Sequence, residues 1–517
     1  MTIEVSDKIK SKIVDVAYLR NLIGPHPRVK RVALCHGVFD VVHPGHIRHF
    51  LYVKSKAPVL VVSLTSDRFI NKGNYRPHVP QDLRAINLAI LEIVDYVVTD
   101  DHETPINEIQ ILEPDFFAKG YEYDVGNQKN LRTEEEVSVV ESYGGSMLFT
   151  PGDFVLSSSK FIQDTPPNLK LEKLDLLMSR SKVTFDDLRK TLANMNKCRV
   201  HVVGDLIVDS YTTCSLLGGQ TKTPTLSVRY EDKKDLVGGA GIVAAHLSAA
   251  GAKTHFSCVT GEDDLGARAV SELRELDIHV QHFIDPNRPT TNKNAILVGD
   301  YRLIKIDTVD SSAIPRRILD SLIEDVRNSK ASSILFSDFR HGIFNKGSIP
   351  KLIKAIPKTV LKVADSQVAS RWGNILDFKN FDLITPNERE ARFSLGDQDS
   401  SIRSLASSLF EKSGCRLLIL KLGDRGIITS RSSDAATLED YFVMDSFVDK
   451  LIDPVGAGDA LLAYATLGLM VSSNQTIASI LGNLAAAVEC EVDGNVPVTP
   501  TKLNQKIDQI EDALNFR

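Results

Sequence analysis

The chain has 517 residues, too many for one ordinary hydrophobic core, so two or three domains are expected. Charged residues make up 25% and hydrophobic residues 43% of the chain, as in ordinary globular proteins, and the net charge is −6. This balance argues against a protein that coats nucleic acid or binds an anionic membrane surface.

The cysteines and the amino terminus bear on the cellular compartment in which the protein works. The six cysteines are scattered with no C-x-x-C pair, a spacing that favours reduced thiols over a disulfide framework or a zinc site. Residues 1–5 lack the basic segment and apolar core of a signal peptide. No apolar run reaches the ~18 residues that span a bilayer. We therefore expect a cytoplasmic protein with neither a membrane nor a nucleic acid as partner.

The first predicted elements lead to a pair of histidines. Apolar residues at helical spacing predict an amphipathic helix over residues 8–23. Residues 31–35 are an apolar run typical of a buried parallel strand, and a glycine turn with His43 and His46 follows. Such a turn places catalytic groups at the carboxyl end of a parallel sheet, where two imidazoles could stabilise phosphate charge. The alternatives are two surface histidines or half of a metal site.

The histidine segment resembles a known family. His43-Pro44-Gly45-His46, with G-x-F-D just ahead of it, is similar to the H-x-G-H motif of nucleotidyltransferases, and ordered matches continue through about residue 163. The order is that of the adenylyltransferase half of the bifunctional heptose-phosphate enzymes. The resemblance implies a Rossmann-like domain in which His43 and His46 are catalytic and Phe39 and Gly45 contact the nucleotide. His36 stands where those enzymes usually carry Asn, which affects nucleotide or sugar choice.

Cations and hydroxyls in this region suit phosphate binding. Lys72, Arg76 and Lys119 lie near predicted strand ends, where they could hold a triphosphate and a sugar phosphate; we assign Lys72 to the nucleotide and the other two to the substrate. A solvated surface charge is the alternative for each cation. Residues Ser157, Ser158 and Ser159 read as a helix N-cap cluster for the nucleotide phosphates.

The two prolines at Pro166 and Pro167 end the first domain. We predict a nucleotidyltransferase domain over residues 1–165, a helical, charged linker over 166–196 and a second domain over 197–517. In the second domain, apolar strands near 199–205, 333–336, 360–363, 381–384 and 417–420 alternate with helical segments. This alternation predicts a doubly wound parallel sheet. More polar strands near 213–215, 225–230 and 294–298 predict a small β lid.

Four acidic and glycine positions follow the early strands of the second domain. Asp205 ends the first strand and Asp209 lies four residues on, so both could accept hydrogen bonds from sugar hydroxyls. Turn and cap roles are the alternative for these two. Gly238 and Gly239 precede an alanine-rich helix and would let a sugar approach the backbone.

The stretch 453–460 carries the chemistry of the second domain. Gly456, Ala457 and Gly458 would begin a helix whose free N–H groups face a phosphate. Asp459 would then accept a proton from a substrate hydroxyl. The alternative is a glycine-rich turn with a capping aspartate.

Residues 197–500 resemble the ribokinase-type sugar kinases, through Gly238-Gly239, residues 385–390, residues 421–426 and Gly456-Ala457-Gly458-Asp459. The resemblance implies that Asp459 is the base, that Asn387 and Glu390 order Mg²⁺ through water, and that nucleotide contacts come from Lys421, Gly423, Gly426, Asn387 and Asn483. A helix cap is the alternative for Asn387. Ile242 replaces the Asn usual in that family, and the domain order is the reverse of the heptose fusion.

Together these features predict a bifunctional enzyme that uses ATP and Mg²⁺. The second domain would phosphorylate a sugar phosphate, in the resembled family heptose 7-phosphate, at the anomeric hydroxyl, and the first would join the sugar 1-phosphate to a nucleotide. A homodimer through the kinase domain is expected. One alternative is CTP-dependent transfer to another sugar or polyol phosphate. The other, which Ile242 favours, is a kinase half that binds sugar or nucleotide without catalysis.

Overall fold

A computed structural model describes residues 7–70, 77–120, 131–150, 170–220, 225–299, 301–367, 373–432 and 441–515. The chain forms two compact units, Met1–Leu169 and Lys170–Arg517. Five of the predicted site residues lie outside the described residues: Lys72, Arg76, Ser157, Ser158 and Ser159. Among the helices that are described, none has both the length and the apolar character needed to cross a bilayer.

The first unit is a parallel sheet covered by helices on both faces. Its described strands are β1 (Val32–Gly37), β2 (Val59–Thr65), β3 (Tyr96–Asp100), β4 (Phe116–Gly120) and β5 (Ser146–Thr150). Its described helices are α1 (Asp7–Lys10), α2 (Val16–Ile23), α3 (Pro44–Lys56), α4 (Gln81–Ala89), α5 (Ile106–Leu112) and α6 (Leu131–Ser142). These strands pair in the order β3-β2-β1-β4-β5. The order reverses between β1 and β4, which opens a crevice at their carboxyl ends, as in other open α/β sheets.

The helix predicted over residues 8–23 is wrong in its middle. Ile13 instead pairs with Val97 in a parallel bridge, and the Val14 N–H donates to the Val97 carbonyl at 3.0 Å. Asp15 then caps α2 by accepting hydrogen bonds from the next residues' backbone N–H groups. The edge of β3 thus captures a segment whose apolar spacing alone indicates a continuous helix.

The second unit contains a larger sheet and a smaller one. Its described strands are β6 (Arg199–Gly204), β7 (Leu206–Gln220), β8 (Thr225–Gly239), β9 (Lys253–Thr260), β10 (His279–Ile284), β11 (Asn292–Val298), β12 (Tyr301–Thr308), β13 (Ser333–Asp338), β14 (Leu361–Ser366), β15 (Leu383–Ile384), β16 (Leu418–Lys421), β17 (Ile427–Ser430) and β18 (Tyr441–Met444). Its described helices are α7 (Lys170–Ser181), α8 (Phe185–Ala193), α9 (Ala240–Ala249), α10 (Asp264–Glu275), α11 (Arg316–Arg327), α12 (Ile349–Ala355), α13 (Glu388–Leu395), α14 (Ile402–Ser413), α15 (Ala457–Ser472), α16 (Gln475–Cys490) and α17 (Pro500–Asn515).

The larger sheet has the order β10-β9-β6-β13-β14-β15-β16-β17-β18 and is parallel from β10 to β16. Apolar clusters cover both of its faces, which is the doubly wound arrangement that the sequence predicts. The smaller sheet, β12-β11-β7-β8, contains the three polar segments predicted as a lid. We refer to this four-stranded sheet as the lid.

The predicted linker belongs to the second unit over the part that is described. Helices α7 and α8 contribute Leu174, Leu188 and their apolar neighbours to the cluster that also contains α9, α15 and α16. Thr184 and Asp187 form a capping box that fixes the start of α8. Residues 170–196 are therefore part of the second unit's core, because their apolar stripes match its helical face.

Replacement of Leu188 tests this assignment. The side chain is 0% exposed, so Leu188→Ala should destabilise the second unit by about 2–5 kcal/mol through lost burial and a cavity. Denaturant unfolding of the full chain measures the change. Lys190→Ala on the exposed side of the same helix is the matched control and should stay within about 0.5 kcal/mol. Equal stabilities for the two variants would show that α8 is a free linker.

Candidate active sites

The first candidate site lies where β1 passes into α3. His43 is the N-cap of α3, and its Nδ1 accepts a hydrogen bond from the Gly45 N–H at 3.1 Å. The Nδ1 atom of His46 faces the His43 N–H at 3.4 Å, and the two ring centroids are 3.9 Å apart. The helix start therefore holds both imidazoles together, as the H-x-G-H spacing predicts.

Burial and these contacts define the charge of both rings and the proton position of His43. Burial lowers the pKa of His43, and burial followed by the neighbouring His43 and His49 lowers the pKa of His46 to about 3. Both imidazoles are therefore neutral near pH 7. The His43 Nδ1 accepts from a backbone N–H, so the proton of that ring resides on Nε2, whereas His46 also has the Val41 backbone as a hydrogen-bond partner. His43 can thus present an Nε2–H donor to an anion, with the His46 ring beside it.

Phe39 packs against the second of these histidines. Its backbone φ of 47° lies in the left-handed region, and its buried ring packs against His46 at 5.1 Å and against Phe50 at 5.5 Å between centroids. A side chain at Gly37 would meet the Phe39 ring at 3.1 Å. Phe39 therefore shapes the turn, and the predicted contact of Phe39 and Gly45 with nucleotide stays a prediction.

Two further residues of this unit have partners that the sequence does not reveal. Lys119, at the end of β4, forms an ion pair with Glu136 of α6. His36 hydrogen-bonds through Nδ1 to Ser63 at 3.0 Å and lies 3.6 Å from Asp100 at the end of β3. Lys119 would have to exchange Glu136 for a phosphate to bind substrate.

The second candidate site centres on the start of α15. Gly456 is the N-cap with φ 85°, a left-handed conformation that glycine adopts without strain. Helix α15 begins at Ala457. The N–H groups of Asp459 and Ala460 both donate to the Gly456 carbonyl at 2.9 Å, which leaves those of Ala457 and Gly458 for an anion. Asp459 lies in that same turn, beside the groups that would receive an anion.

A buried ion pair lies beside Asp459. Lys421, the last residue of β16, contacts both carboxylate oxygens of Asp365 at 3.1 Å, and Thr385 donates a hydrogen bond to the same carboxylate. Burial lowers the pKa of Lys421, but Asp365, Glu390 and Asp459 outweigh it and raise that pKa. The Lys421 ammonium group is therefore charged near pH 7.

The pKa of Asp459 is matched to proton transfer. Burial and the nearby carboxylate of Asp365 raise it to about 7, and Lys421 opposes the shift. Asp209 and Glu390 raise the Asp459 pKa further. A carboxylate with a pKa near the working pH is suited to act as a general base.

The predicted metal residues form a helix cap. Asn387 is the N-cap of α13 and accepts from the Glu390 N–H at 2.9 Å, while the Glu390 carboxylate accepts from the Asn387 backbone N–H and side-chain amide at 2.7 and 2.8 Å. This is the alternative that the sequence leaves open for Asn387. Glu390 is buried, and its charge acts on both Lys421 and Asp459.

The predicted nucleotide loop is a tight turn. Gly423 and Gly426 have φ values of 65° and 86°, and a side chain at Gly426 would meet the Met444 carbonyl at 2.1 Å. Asn483 is buried in α16, where its amide donates to the Asp445 carbonyl at 2.9 Å. Its role toward a base stays a prediction, because the structure gives this amide a partner in the protein.

The two early aspartates differ in what they contact. Asp205 is buried and accepts backbone hydrogen bonds from Phe339 and His341, a role in fixing the loop after β13. Asp209, on β7, lines a cavity of about 300 Å³. Close packing requires glycine at the neighbouring positions: a side chain at Gly238 would meet the Asp209 carboxylate at 2.1 Å, and one at Gly239 the Asp205 carbonyl at 2.6 Å.

The cavity contains cations that sequence reasoning missed. Lys293, Arg302 and Lys305 of the lid line it together with Asp209 and Val455. Burial lowers the pKa of Lys293 against the attraction of Asp209. These cations are scattered through two polar strands, so spacing carries no signal for them. Asp365 was also missed, although its place at the end of an apolar strand could have indicated it.

Ile242, the departure from the sugar-kinase pattern, is buried in α9 within the apolar core.

Another buried group that the sequence does not single out is Glu489, whose carboxylate lies close to Gly456. A side chain at Gly456 would meet the Glu489 carboxylate at 2.9 Å, and burial raises the pKa of Glu489 to about 8. The glycine loop thus rests on a carboxyl group that is mostly neutral at pH 7.

Comparison with known proteins identifies both halves. Residues 199–502 match the family model of pfkB family carbohydrate kinases, and residues 34–164 match a cytidylyltransferase-like model. The predicted order of the two domains is thereby confirmed.

The chain is also similar to curated proteins called bifunctional protein HldE. The one from Rhodopseudomonas palustris (strain BisB5) is 27% identical over 335 residues, 62% of this chain and 65% of that protein. The one from Desulfatibacillum aliphaticivorans is 24% identical over 318 residues, 60% of this chain and 63% of that protein. The chain thus spans about 65% of the length of these relatives.

Solved structures extend the likeness in fold. A mutant of phosphofructokinase-2 from Escherichia coli, and the same enzyme in complex with potassium, each superpose with a TM-score of 0.51 at 17% identity, covering 61% of this chain and 99% of theirs. At this identity the likeness is one of fold, and it confirms the predicted ribokinase-like architecture. The pfkB carbohydrate kinase model matches more than half of this chain. The chain therefore belongs to the pfkB carbohydrate kinase family, with a cytidylyltransferase-like region ahead of the kinase.

Proposed function

We propose that the protein is a bifunctional enzyme of nucleotide-activated sugar synthesis. The kinase unit phosphorylates a sugar phosphate, heptose 7-phosphate, at its anomeric hydroxyl with ATP. The first unit transfers an adenylyl group to the sugar 1-phosphate and releases pyrophosphate. The similarity to proteins named bifunctional HldE supports this pairing of activities.

One observation carries the kinase half of the proposal. Asp459, with a pKa raised to about 7 mainly by burial, lies in the first turn of α15 beside Lys421. Its carboxylate would take the proton of the anomeric hydroxyl as that oxygen attacks the γ-phosphorus of ATP. The N–H groups of Ala457 and Gly458 and the Lys421 ammonium would stabilise the charge on the phosphoryl oxygens.

The nearby carboxylates fit a magnesium ion. Glu390 and Asp365 offer hard oxygen ligands near the helix start, while the side chain of Asn387 is engaged in the cap. Because both Glu390 oxygens accept protein hydrogen bonds, we propose that Glu390 holds Mg²⁺ through water. Mg²⁺ bound there would neutralise charge on the ATP phosphates.

The lid cations support a phosphorylated sugar as substrate. Lys293, Arg302 and Lys305 line the cavity that contains Asp209, and three cations exceed what a neutral sugar needs. Asp209 would accept hydrogen bonds from sugar hydroxyls while the cations hold the distal phosphate.

In the transferase, His43 and His46 would donate ring N–H groups to the α-phosphate and the departing pyrophosphate. Both rings are neutral, so they contribute directed hydrogen bonds and leave the charge balance to cations. The cytidylyltransferase-like match keeps CTP as an alternative donor, and parallel assays with ATP and CTP distinguish the two.

We also propose a cytoplasmic homodimer that pairs through the kinase unit. The six cysteines are free and buried, as expected in a reducing compartment. Large apolar side chains of the lid are exposed, with Leu217 at 63% and Tyr230 at 62%, and such a patch commonly marks a protein interface.

Replacement of Asp459 tests the base. Asp459→Asn should lower kcat for phosphorylation of heptose 7-phosphate by about 10²–10⁴-fold with little change in ATP affinity. In the parent enzyme, kcat/KM should rise with pH through about pH 7, where the Asp459 carboxyl loses its proton. Asp277→Asn, on the exposed surface, is the isosteric control. A parent rate in Asp459→Asn would overturn the assignment, and a parent inactive on all sugar phosphates would favour the binding module.

Replacement of Lys293 tests the phosphate end of the cavity. Lys293→Gln should raise KM for the sugar phosphate by about 10–100-fold, because a hydrogen bond between charged groups is lost. Arg229→Gln, on an exposed part of the same lid, should leave KM unchanged. If Lys293→Gln instead lowers only kcat, Lys293 acts on the transferred phosphoryl group and the distal-phosphate assignment is wrong.

Replacement of His46 tests the transferase. His46→Ala should lower kcat for nucleotidyl transfer by about 10²–10³-fold with a smaller effect on KM for the nucleotide, since the lost donor acts on the transition state. Kinase activity of the same preparation should stay unchanged. A change confined to KM would make His46 a binding residue, and a parallel loss of kinase activity would indicate misfolding.

A further inference from the structure

Three histidines lie side by side on neighbouring strands of the larger sheet. His201 of β6 is in register with His255 of β9, and His255 is in register with His279 of β10. Paired residues of parallel strands project from the same face, and the ring centroids are 4.2 and 4.8 Å apart along this row. The row occupies the amino-terminal ends of these strands, whereas Asp205 of the kinase site follows the carboxyl end of β6.

A carboxylate from a packed helix completes the group. Asp325 of α11 places Oδ2 3.0 Å from the His255 Nε2 and 3.5 Å from the His201 Nε2. The Ser257 hydroxyl lies 2.7 Å from the same His201 nitrogen and 3.1 Å from the His255 nitrogen, and it donates to Asp325. Two imidazole nitrogens and one carboxylate oxygen therefore converge on one point.

The spacing of these atoms is that of a metal ligand set. Tetrahedral zinc with bonds of about 2.0–2.2 Å separates its ligand atoms by roughly 3.3–3.6 Å. The two nitrogen-to-oxygen distances are 3.0 and 3.5 Å, and all three ligand atoms lie within 4.8 Å of one another, so rotation of these side chains can bring them to that spacing. Two imidazoles with one carboxylate suit zinc and similar transition metals better than magnesium or calcium.

The site combines a rigid interior with access from solvent. His201 is buried, while the side chains of His255 and Asp325 are 27% and 24% exposed, so an ion can enter from the outer side. The Ser257 hydroxyl, or a water molecule from that side, can supply the fourth ligand. His201 Nδ1, on the other side of the ring, is buried without a hydrogen-bond partner among the described residues, so protein hydrogen bonds do not fully satisfy this ring.

We propose that His201, His255 and Asp325 form a zinc site whose residues belong to neither candidate active site. The ion links α11 to β6 and β9, three elements that are distant in sequence, and it stabilises the kinase unit without taking part in phosphoryl transfer. The Ser257 hydroxyl contacts all three ligand atoms, so it must rotate away from this point or become a ligand when the ion binds. A metal-free hydrogen-bond network of the same four side chains is the competing explanation.

Zinc binding by the full chain tests the proposal. After removal of metals with a chelator, zinc is added back and the bound equivalents per chain are measured against a competing chelator. The parent should bind one zinc more than either His255→Gln or Asp325→Asn, both of which keep a polar side chain of similar size. His282→Gln on β10, whose imidazole faces Arg274 instead of Asp325, is the matched control and should bind as the parent does.

Thermal unfolding gives a second measurement on the same proteins. Saturating zinc should raise the Tm of the parent and of His282→Gln by about 2–5 °C, because the ion binds the folded state, and should have no such effect in the two cluster variants. Equal zinc content and equal Tm response in all four proteins would overturn the site in favour of the metal-free network. Should His255→Gln fail to fold, Asp325→Asn alone decides by the same criteria.

Discussion

The ion pair between Lys421 and Asp365 is the interaction on which the kinase site depends. It joins the ends of β14 and β16 below the first turn of α15, and both side chains are largely buried. Removal of either partner would leave an uncompensated buried charge, which proteins tolerate poorly. The pair also acts on Asp459: burial raises the Asp459 pKa most, Asp365 raises it further and Lys421 lowers it. The same contact therefore links two strand ends and adjusts the pKa of the proposed base.

Each unit has a helix start that we propose as an anion-binding site, but the side chains at the two starts differ. In the first unit the groups at the start of α3 are neutral imidazoles, since burial lowers their pKa values. In the second, a carboxylate with a pKa near 7 lies in the first turn of α15. Neutral donors suit charge that develops on a leaving pyrophosphate, whereas a carboxylate suits a hydroxyl that must lose its proton. Burial thus suits two similar helix starts to different chemistry, because it keeps the imidazoles neutral and raises the pKa of the carboxyl group.

Several polar residues that the sequence suggests as ligands for a metal ion or a sugar form hydrogen bonds within the protein instead. Asn387 and Glu390 bond to each other across a helix start, and Asp205 accepts two backbone hydrogen bonds. Such contacts fix the loop after β13 and the start of α13, and they limit which oxygens can reach a metal ion or a sugar directly. Glu390 still acts on Lys421 and Asp459 through its charge.

The features of this protein that depend on short stretches of sequence could be predicted from the sequence alone. Apolar runs, glycine turns and the H-x-G-H and G-A-G-D segments depend on neighbouring residues, so the α/β class, the two domains, the lid and the helix starts at His43 and Asp459 could be predicted. Contacts between distant segments could not: Lys421 with Asp365, the cavity cations such as Lys293, and α8 in the kinase core depend on strand register and helix packing. The bridge from Ile13 to Val97, which breaks a predicted helix, has the same origin. Spacing along the chain determines backbone geometry, but only the folded sheet decides which side chains meet, because register brings together residues that no local pattern connects.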